Sequence, residues 1–232
     1  MKFVLWGVDV QVDFMLPGGK LYVPGAEKLL PNIRKLTDAT RLPEVFLVST
    51  GDAHPLNDPE FETDTTLPDW AKRLHFPPHC IKGTPGAELV PEALADSFIR
   101  LENDPRKKPH LRFVEEAFPL FLRSAYHQIL LEKQTIDIFQ THHADEIVEH
   151  LGDVQYVVFG VVMEYCVAAA ARGLLMRGRR VTLVRDAIKT LNFKEGIKTL
   201  NELQKLGVTL TTTDEILQQI RSHSSPALSS IN

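Results

Sequence analysis

Cysteine is scarce. Cys80 and Cys166 are the only two in 232 residues, and neither lies in a C-x-x-C or similar metal-binding spacing. A disulfide framework is therefore not expected, and a reducing, cytoplasmic setting is. No charge of one sign dominates. Lys and Arg total 26 against 30 Asp and Glu, a formal net charge of −4, so the basic footprint of a nucleic-acid partner is missing. Long apolar runs are missing too: residues 154–163 form one of the longest, well short of the roughly 20 that span a bilayer. No membrane partner is expected. The first eleven residues carry one lysine and a short apolar run broken at once by Asp9 and Gln11. With no small-residue cleavage site following, they read as a buried strand rather than a leader. What remains is an ordinary globular composition, 44% hydrophobic and 24% charged. The length suffices for one domain whose core needs no staples.

Apolar runs of strand length alternate with segments of helical period. Strands are expected at residues 3–10, 45–50, 127–131, 154–161, 180–185 and 208–212. Helices are expected at 26–39, 145–151, 164–177 and 193–206, the last ended by Gly207, with a final helix capped by Asp214 and running to about Arg221. Strands apolar on both faces, each followed by a helix, imply an α/β fold: a mostly parallel six-stranded sheet with helices on both sides. The reading is a single domain over 1–221 with a long loop region at about 51–126. Within it a helical turn is expected near 69–74, and Pro119 breaks any helix over 113–126. A loose, Ser-rich tail is expected at 222–232.

Ligands of such sheets bind beyond the carboxyl ends of the strands, so the residues just past each strand matter most. These are Asp9, Gln11 and Asp13 after the first, Asp52 and His54 after the second, Lys133 beside the third, and Glu164 and Cys166 after the fourth. A lone cysteine is usually an inert, buried packing residue. Cys166, however, falls where a helix starts, and the dipole and free N–H groups there favour a thiolate. Cys80 has no such setting and reads as structural. Asp9 and Lys133 could form a structural ion pair, or serve the thiol as proton carrier and electrostatic partner. Asp52, His54, Glu60 and His79 form an oxygen-and-imidazole set suited to zinc, iron or manganese. Taken alone, a D-x-H pair is more often a loop aspartate beside a surface histidine.

Together, VDVQVDF (residues 8–14), GDAH (51–54), PPHCIKGTPGAEL (77–89), Lys133 with IDIF (136–139), and GVVMEYCV (160–167) resemble the isochorismatase-like cysteine hydrolases, in that family's order and across most of the chain. Within the family the D-x-H set and the HC-x-x-GTPGA segment are most similar to the nicotinamidase/pyrazinamidase group. The resemblance implies that Cys166 is the nucleophile, Asp9 the proton acceptor and donor, and Lys133 their electrostatic partner. It also implies a cis peptide before Val162, with the backbone N–H groups of Val162 and Cys166 forming an oxyanion hole. Asp52, His54 and His79 would hold a divalent metal ion, zinc first, with Glu60 as fourth ligand. Phe14 and Phe76 match ring-packing positions, and Tyr165 joins them as a candidate substrate contact. Phe76 stands where that group commonly has Trp, Met163 where it has Thr, and the segment 100–124 is longer than in a compact member.

The implied reaction is hydrolysis of nicotinamide to nicotinate and ammonia, a step of NAD salvage, with a small-molecule amide as the partner. A homo-oligomer is compatible with the sequence but not indicated by it. Two other readings stand beside this one. An amidase of the same fold acting on a carbamoyl or ureido compound would need the triad but not the metal, and a non-catalytic metal-binding member would have lost part of the triad. Isochorismatase chemistry itself does not need the metal set.

Overall fold

β-Branched and aromatic side chains pack well on a pleated surface, and a strand buried on both faces needs no polar alternation. FVLWGV and QYVVFGV meet both conditions, and in the computed structural model, which describes residues 3–61, 76–104, 118–119, 123 and 126–224, they are the two central strands of one sheet. The strands are β1 (Phe3–Val8), β2 (Val45–Asp52), β3 (Phe98–Leu101), β4 (Gln128–Lys133), β5 (Gln155–Val161), β6 (Arg180–Lys189) and β7 (Thr209–Thr211). They lie in the order β3-β4-β2-β1-β5-β6-β7, and every pairing is parallel.

The sheet thus has seven strands where six were expected. The additional one, β3, lies in the stretch read as loop. It has four residues and pairs only with β4. So short an edge strand carries no readable period and forms because a tertiary partner is already in place. β4 also runs two residues further than expected, so Lys133 ends the strand itself rather than standing beside it.

The helices are α1 (Val12–Met15), α2 (Leu30–Asp38), α3 (Ala144–Leu151), α4 (Ala168–Met176), α5 (Phe193–Lys205) and α6 (Thr213–Ser224). Strand side chains alternate between faces, so β1 sends Trp6 to a core shared with α3, α4 and α5, and Leu5 to a core shared with α2 and α6. Three helices differ from expectation at their starts. Residues 26–29 form a 3₁₀ turn, and α-helical bonding begins at Leu30, placing Pro31 in the first turn, where its missing N–H costs nothing. The helix expected from 164 opens instead as a π turn over Met163–Val167, in which Val167 N–H reaches Val162 C=O at 3.2 Å. α6 is capped by Thr212 rather than Asp214. Thr212 Oγ1 accepts from Glu215 N–H at 3.4 Å, and the Glu215 carboxylate accepts from Thr212 N–H at 2.8 Å, a reciprocal capping box.

α6 continues past Arg221 to Ser224. The turn expected near 69–74, most of 113–126 and the tail after 224 lie outside the described residues. Among the described residues no helix is long and apolar enough to cross a membrane.

All strands point the same way, so their carboxyl ends form one edge. Register does the rest: Asp52 and Lys133 are direct partners across β2 and β4, and Val8, the residue before Asp9, is paired with both Thr50 and Gly160. Gly160 has φ +119°, and a Cβ there would sit 2.0 Å from Val8 C=O. Gly160→Ala is therefore expected to cost about 2–4 kcal/mol by urea unfolding, from combined backbone strain and a clash with a central strand. An unchanged midpoint would show that β1 and β5 can separate at little cost.

Candidate active site

Asp9 leaves β1 with φ +50°, a region that non-glycine residues seldom enter. Two bonds to one neighbour hold it there: Asp9 N–H donates to Thr50 C=O at 3.1 Å, and Thr50 Oγ1 donates to Asp9 Oδ1 at 2.7 Å. Lys133, from the end of β4, lies with Nζ 2.9 Å from Asp9 Oδ2, is hydrogen-bonded to Asp52 Oδ1, and is 3.5 Å from Cys166 Sγ. Asp9, Asp52 and Lys133 are all buried. A charge so placed must be paired, and here one ammonium serves two carboxylates.

The electrostatics follow. Burial disfavours the Lys133 ammonium, but Asp52 and Asp9 outweigh it and hold the lysine charged. Burial raises the Asp9 carboxyl despite Lys133, with the like charge of Asp52 adding to the rise. Burial also opposes ionisation of Asp52, yet Lys133 and the neighbouring imidazoles keep it well below the usual carboxylate range. For Cys166 burial again comes first, and with Asp9 and Asp52 nearby it pushes the thiol up against the pull of Lys133. The cysteine sits in a π turn rather than the first turn of an α-helix, and burial opposes the pull toward thiolate that a helix start and Lys133 exert.

Asp52 is also the centre of the metal-type set. Its Oδ2 lies 3.6 Å from His79 Nε2 and 3.8 Å from His54 Nε2, and the three residues offer ligand atoms within 4.8 Å of one another. Glu60 falls instead into a second such group with His54 and Asp58. Three observations favour a cation at the first set. His54 Nε2 is buried with no hydrogen-bond partner among the described residues. The site's field pulls the His54 pKa up although burial resists it, with Asp52 the main cause. Finally, two buried carboxylates face a single ammonium. The donors fit a divalent ion of the zinc, iron or manganese class.

Behind each imidazole stands an oxygen. His79 Nδ1 is hydrogen-bonded to Pro77 C=O at 2.7 Å, and His54 Nδ1 has a charge contact at 3.1 Å with Asp58 Oδ2, without hydrogen-bond geometry, so that both Nε2 atoms are available to an ion. Asp58 escaped sequence reading; its one signal is the four-residue spacing from His54. Gln11 and Asp13, placed by sequence at this edge but given no role there, clamp the loops. Gln11 Nε2 donates to the carbonyls of Asp52 (2.8 Å) and Ala87 (2.7 Å), and its Oε1 accepts from Asp52 N–H at 2.7 Å. Asp13 Oδ2 accepts from Cys80 N–H at 2.7 Å, one residue beyond His79. A Cβ at Gly86 would meet that carboxylate at 2.3 Å, which explains glycine there. Cys80 is fully buried, with its thiol pushed far up by burial.

Phe14, Phe76 and Tyr165 line one pocket together with Cys166, Asp52 and His79. Phe76 meets Tyr165 edge-on at 5.7 Å between ring centroids, and Phe14 lies 5.4 Å from His79. Val162 and Glu60 also face the pocket, and the Val161–Val162 peptide is cis. Leu21, Val23, Ile136 and Leu191 complete the lining and were not singled out from sequence.

The isochorismatase domain matches residues 4–100 and 103–215. The chain belongs to that family. Among its curated members, the nicotinamidase of Saccharomyces cerevisiae is 28% identical over 205 residues, covering 80% of this chain and 87% of the relative. The nicotinamidase of Escherichia coli is 23% identical over 218 residues, covering 88% and 92%. Among solved structures, the pyrazinamidase of Pyrococcus horikoshii in complex with zinc superposes with a TM-score of 0.67 at 26% identity, over 91% of this chain and 99% of that one.

The role given to Asp58 is open to a direct check. Asp58→Ala should weaken retention of a divalent ion about 10–100-fold under graded chelator, the usual cost of removing a carboxylate behind a ligating histidine. Unaltered retention would show that Asp58 does not orient His54.

Proposed function

We propose that this protein is an amidohydrolase that converts nicotinamide and water to nicotinate and ammonia through a thioester on Cys166. The observation that carries the reading is the placement of one buried ammonium, Lys133, against Asp9, Asp52 and Cys166, beside a pocket walled by aromatic rings. Similarity to the two nicotinamidases and to the zinc-bound pyrazinamidase supports the same choice.

Asp9 takes the Cys166 proton, and the sulfur attacks the carboxamide carbon. Burial makes Asp9 more basic than an ordinary carboxylate, which suits it to accept the proton. Lys133 stays protonated throughout and offsets the charge that moves between carboxylate and sulfur. The tetrahedral oxyanion is received by the backbone N–H groups of Val162 and Cys166. Asp9 returns its proton to the leaving nitrogen, and ammonia departs. Asp9 then takes a proton from water, the hydroxide attacks the thioester, and collapse releases nicotinic acid, which gives up its proton to solvent as nicotinate. The departing sulfur recovers its proton from Asp9, so the site ends as it began.

Asp52, His54 and His79, with Glu60 close by, would hold a divalent ion, zinc the first choice, and such an ion would supply a Lewis-acid contact for the pyridine nitrogen. Phe14, Phe76 and Tyr165 hold the ring flat so that the amide meets Cys166, a positioning effect that can account for much of the barrier.

Ammonia release over a panel of nicotinamide, pyrazinamide, benzamide and a ureido compound tests the reading. Nicotinamide should be hydrolysed at least tens of times more efficiently than benzamide, which fills the slot but lacks the ring nitrogen. Equal rates would detach the metal set from substrate binding, and preference for the ureido compound would reassign the substrate. Cys166→Ala should reduce turnover to background while Cys80→Ala keeps most of it; the reverse result would refute the nucleophile. Because Asp9 must be ionised to act as base and its pKa is raised, the acid limb of kcat/KM should lie above the usual carboxylate range. A limb at an ordinary aspartate value would show that Asp9 is not the titrating base.

A further inference from the structure

Glu164 stands two residues before the nucleophile, on the π turn, and the reaction gives it no task. Its carboxylate nevertheless accepts three hydrogen bonds from one short connection. Oε2 receives Thr190 Oγ1 at 2.6 Å, and Oε1 receives the backbone N–H groups of Leu191 at 3.0 Å and Asn192 at 2.5 Å. The connection joins β6 to α5, and Asn192 also caps α5, its Oδ1 accepting from the N–H groups of Lys194 and Glu195 at 3.0 and 3.2 Å. Gly196, in the first turn of α5, keeps room for Thr190: a Cβ there would meet Thr190 Oγ1 at 2.3 Å.

Leu191 is the residue of this connection that lines the substrate pocket, although it is 48% exposed. A leucine so open gets little restraint from packing, and the hydrogen bonds of its backbone set its place. Charge-assisted bonds to a carboxylate do this better than bonds to water. Since that carboxylate belongs to the turn bearing Cys166, wall and nucleophile share one reference point.

We propose that Glu164 is a positioning residue for ring specificity. It clasps residues 190–192 so that Leu191 closes the apolar slot over a flat ring, at a fixed distance from Cys166. The ring as substrate rests on the nicotinamide reading; the clasp does not.

Two measurements read the clasp without an amidase assay. In Glu164→Ala, hydrogen exchange at the Leu191 and Asn192 amides should accelerate about tenfold or more, the loss of bonds to a charged acceptor. Alkylation of Cys166 by N-ethylmaleimide should also gain several-fold over alkylation by the smaller iodoacetamide. With substrates, the ratio of kcat/KM for nicotinamide to that for acetamide should fall about tenfold through KM, the order expected from one lost apolar contact. Glu164→Gln keeps an oxygen for both N–H groups and should largely restore the ratio. Leu191→Ala, which spares the clasp, should lower the ratio without speeding exchange at Asn192. Unchanged exchange in Glu164→Ala, or an unchanged ratio in Leu191→Ala, would overturn the proposal. Absence of nicotinamide hydrolysis by the native protein would instead remove the functional reading, while exchange and alkylation would still decide the clasp.

Discussion

The ammonium of Lys133 is buried between two carboxylates and a thiol, and the arrangement of the whole site follows from that placement. Remove its charge and Asp9 and Asp52 face each other across a low-dielectric space with nothing between them, a condition proteins avoid by neutralising one group. With it in place the two acids diverge. Asp52, hydrogen-bonded to the lysine, is held strongly acidic, while Asp9 remains basic enough to exchange a proton with sulfur. One cation thereby turns two identical side chains to different uses. Asp52 is at once the partner of the lysine and the centre of the metal-type set, so the Lys133, Asp9 and Cys166 group and the metal-type set form a single network.

The sheet makes the network possible. Parallel strands deliver their last residues to one edge, and the β2–β4 register sets Asp52 directly opposite Lys133. Hydrophobic burial supplies the stability from two cores, one on either face. Among the described residues the connection after β2 has little regular structure, and it is tied down by side chains that bond to backbone. Gln11 bridges Asp52 and Ala87, and Asp13 anchors Cys80 and with it His79. Glu164 extends the same device to the far wall of the pocket.

Much of this was legible in the chain. Six of the seven strands announce themselves by apolar runs, and the polar residues that end them include Asp9, Asp52 and Lys133. The D-x-H spacing marked His54, and the position before a helix marked Cys166. Asp58 was not legible as a site residue, nor the clamping role of Gln11 and Asp13, because a polar side chain in a loop looks the same whether it meets water or a backbone amide. The environment of Cys166 was legible only in part for a related reason. A helix start that favours thiolate is a local feature, whereas the desolvation that opposes it comes from everything packed around the sulfur.

By itself, then, the sequence determined the class of fold and the stock of reactive groups at one edge, since both rest on patterns within about ten residues of chain. Tertiary structure alone decided that β3 joins the sheet, that Asp52 is shared, that the Cys166 thiol is buried against Lys133 and that Glu164 holds Leu191. Each depends on contacts between residues distant in the chain, 81 positions apart for Lys133 and Asp52 and 27 for Leu191 and Glu164. No local periodicity records such a contact, because its energy exists only once the intervening chain has folded.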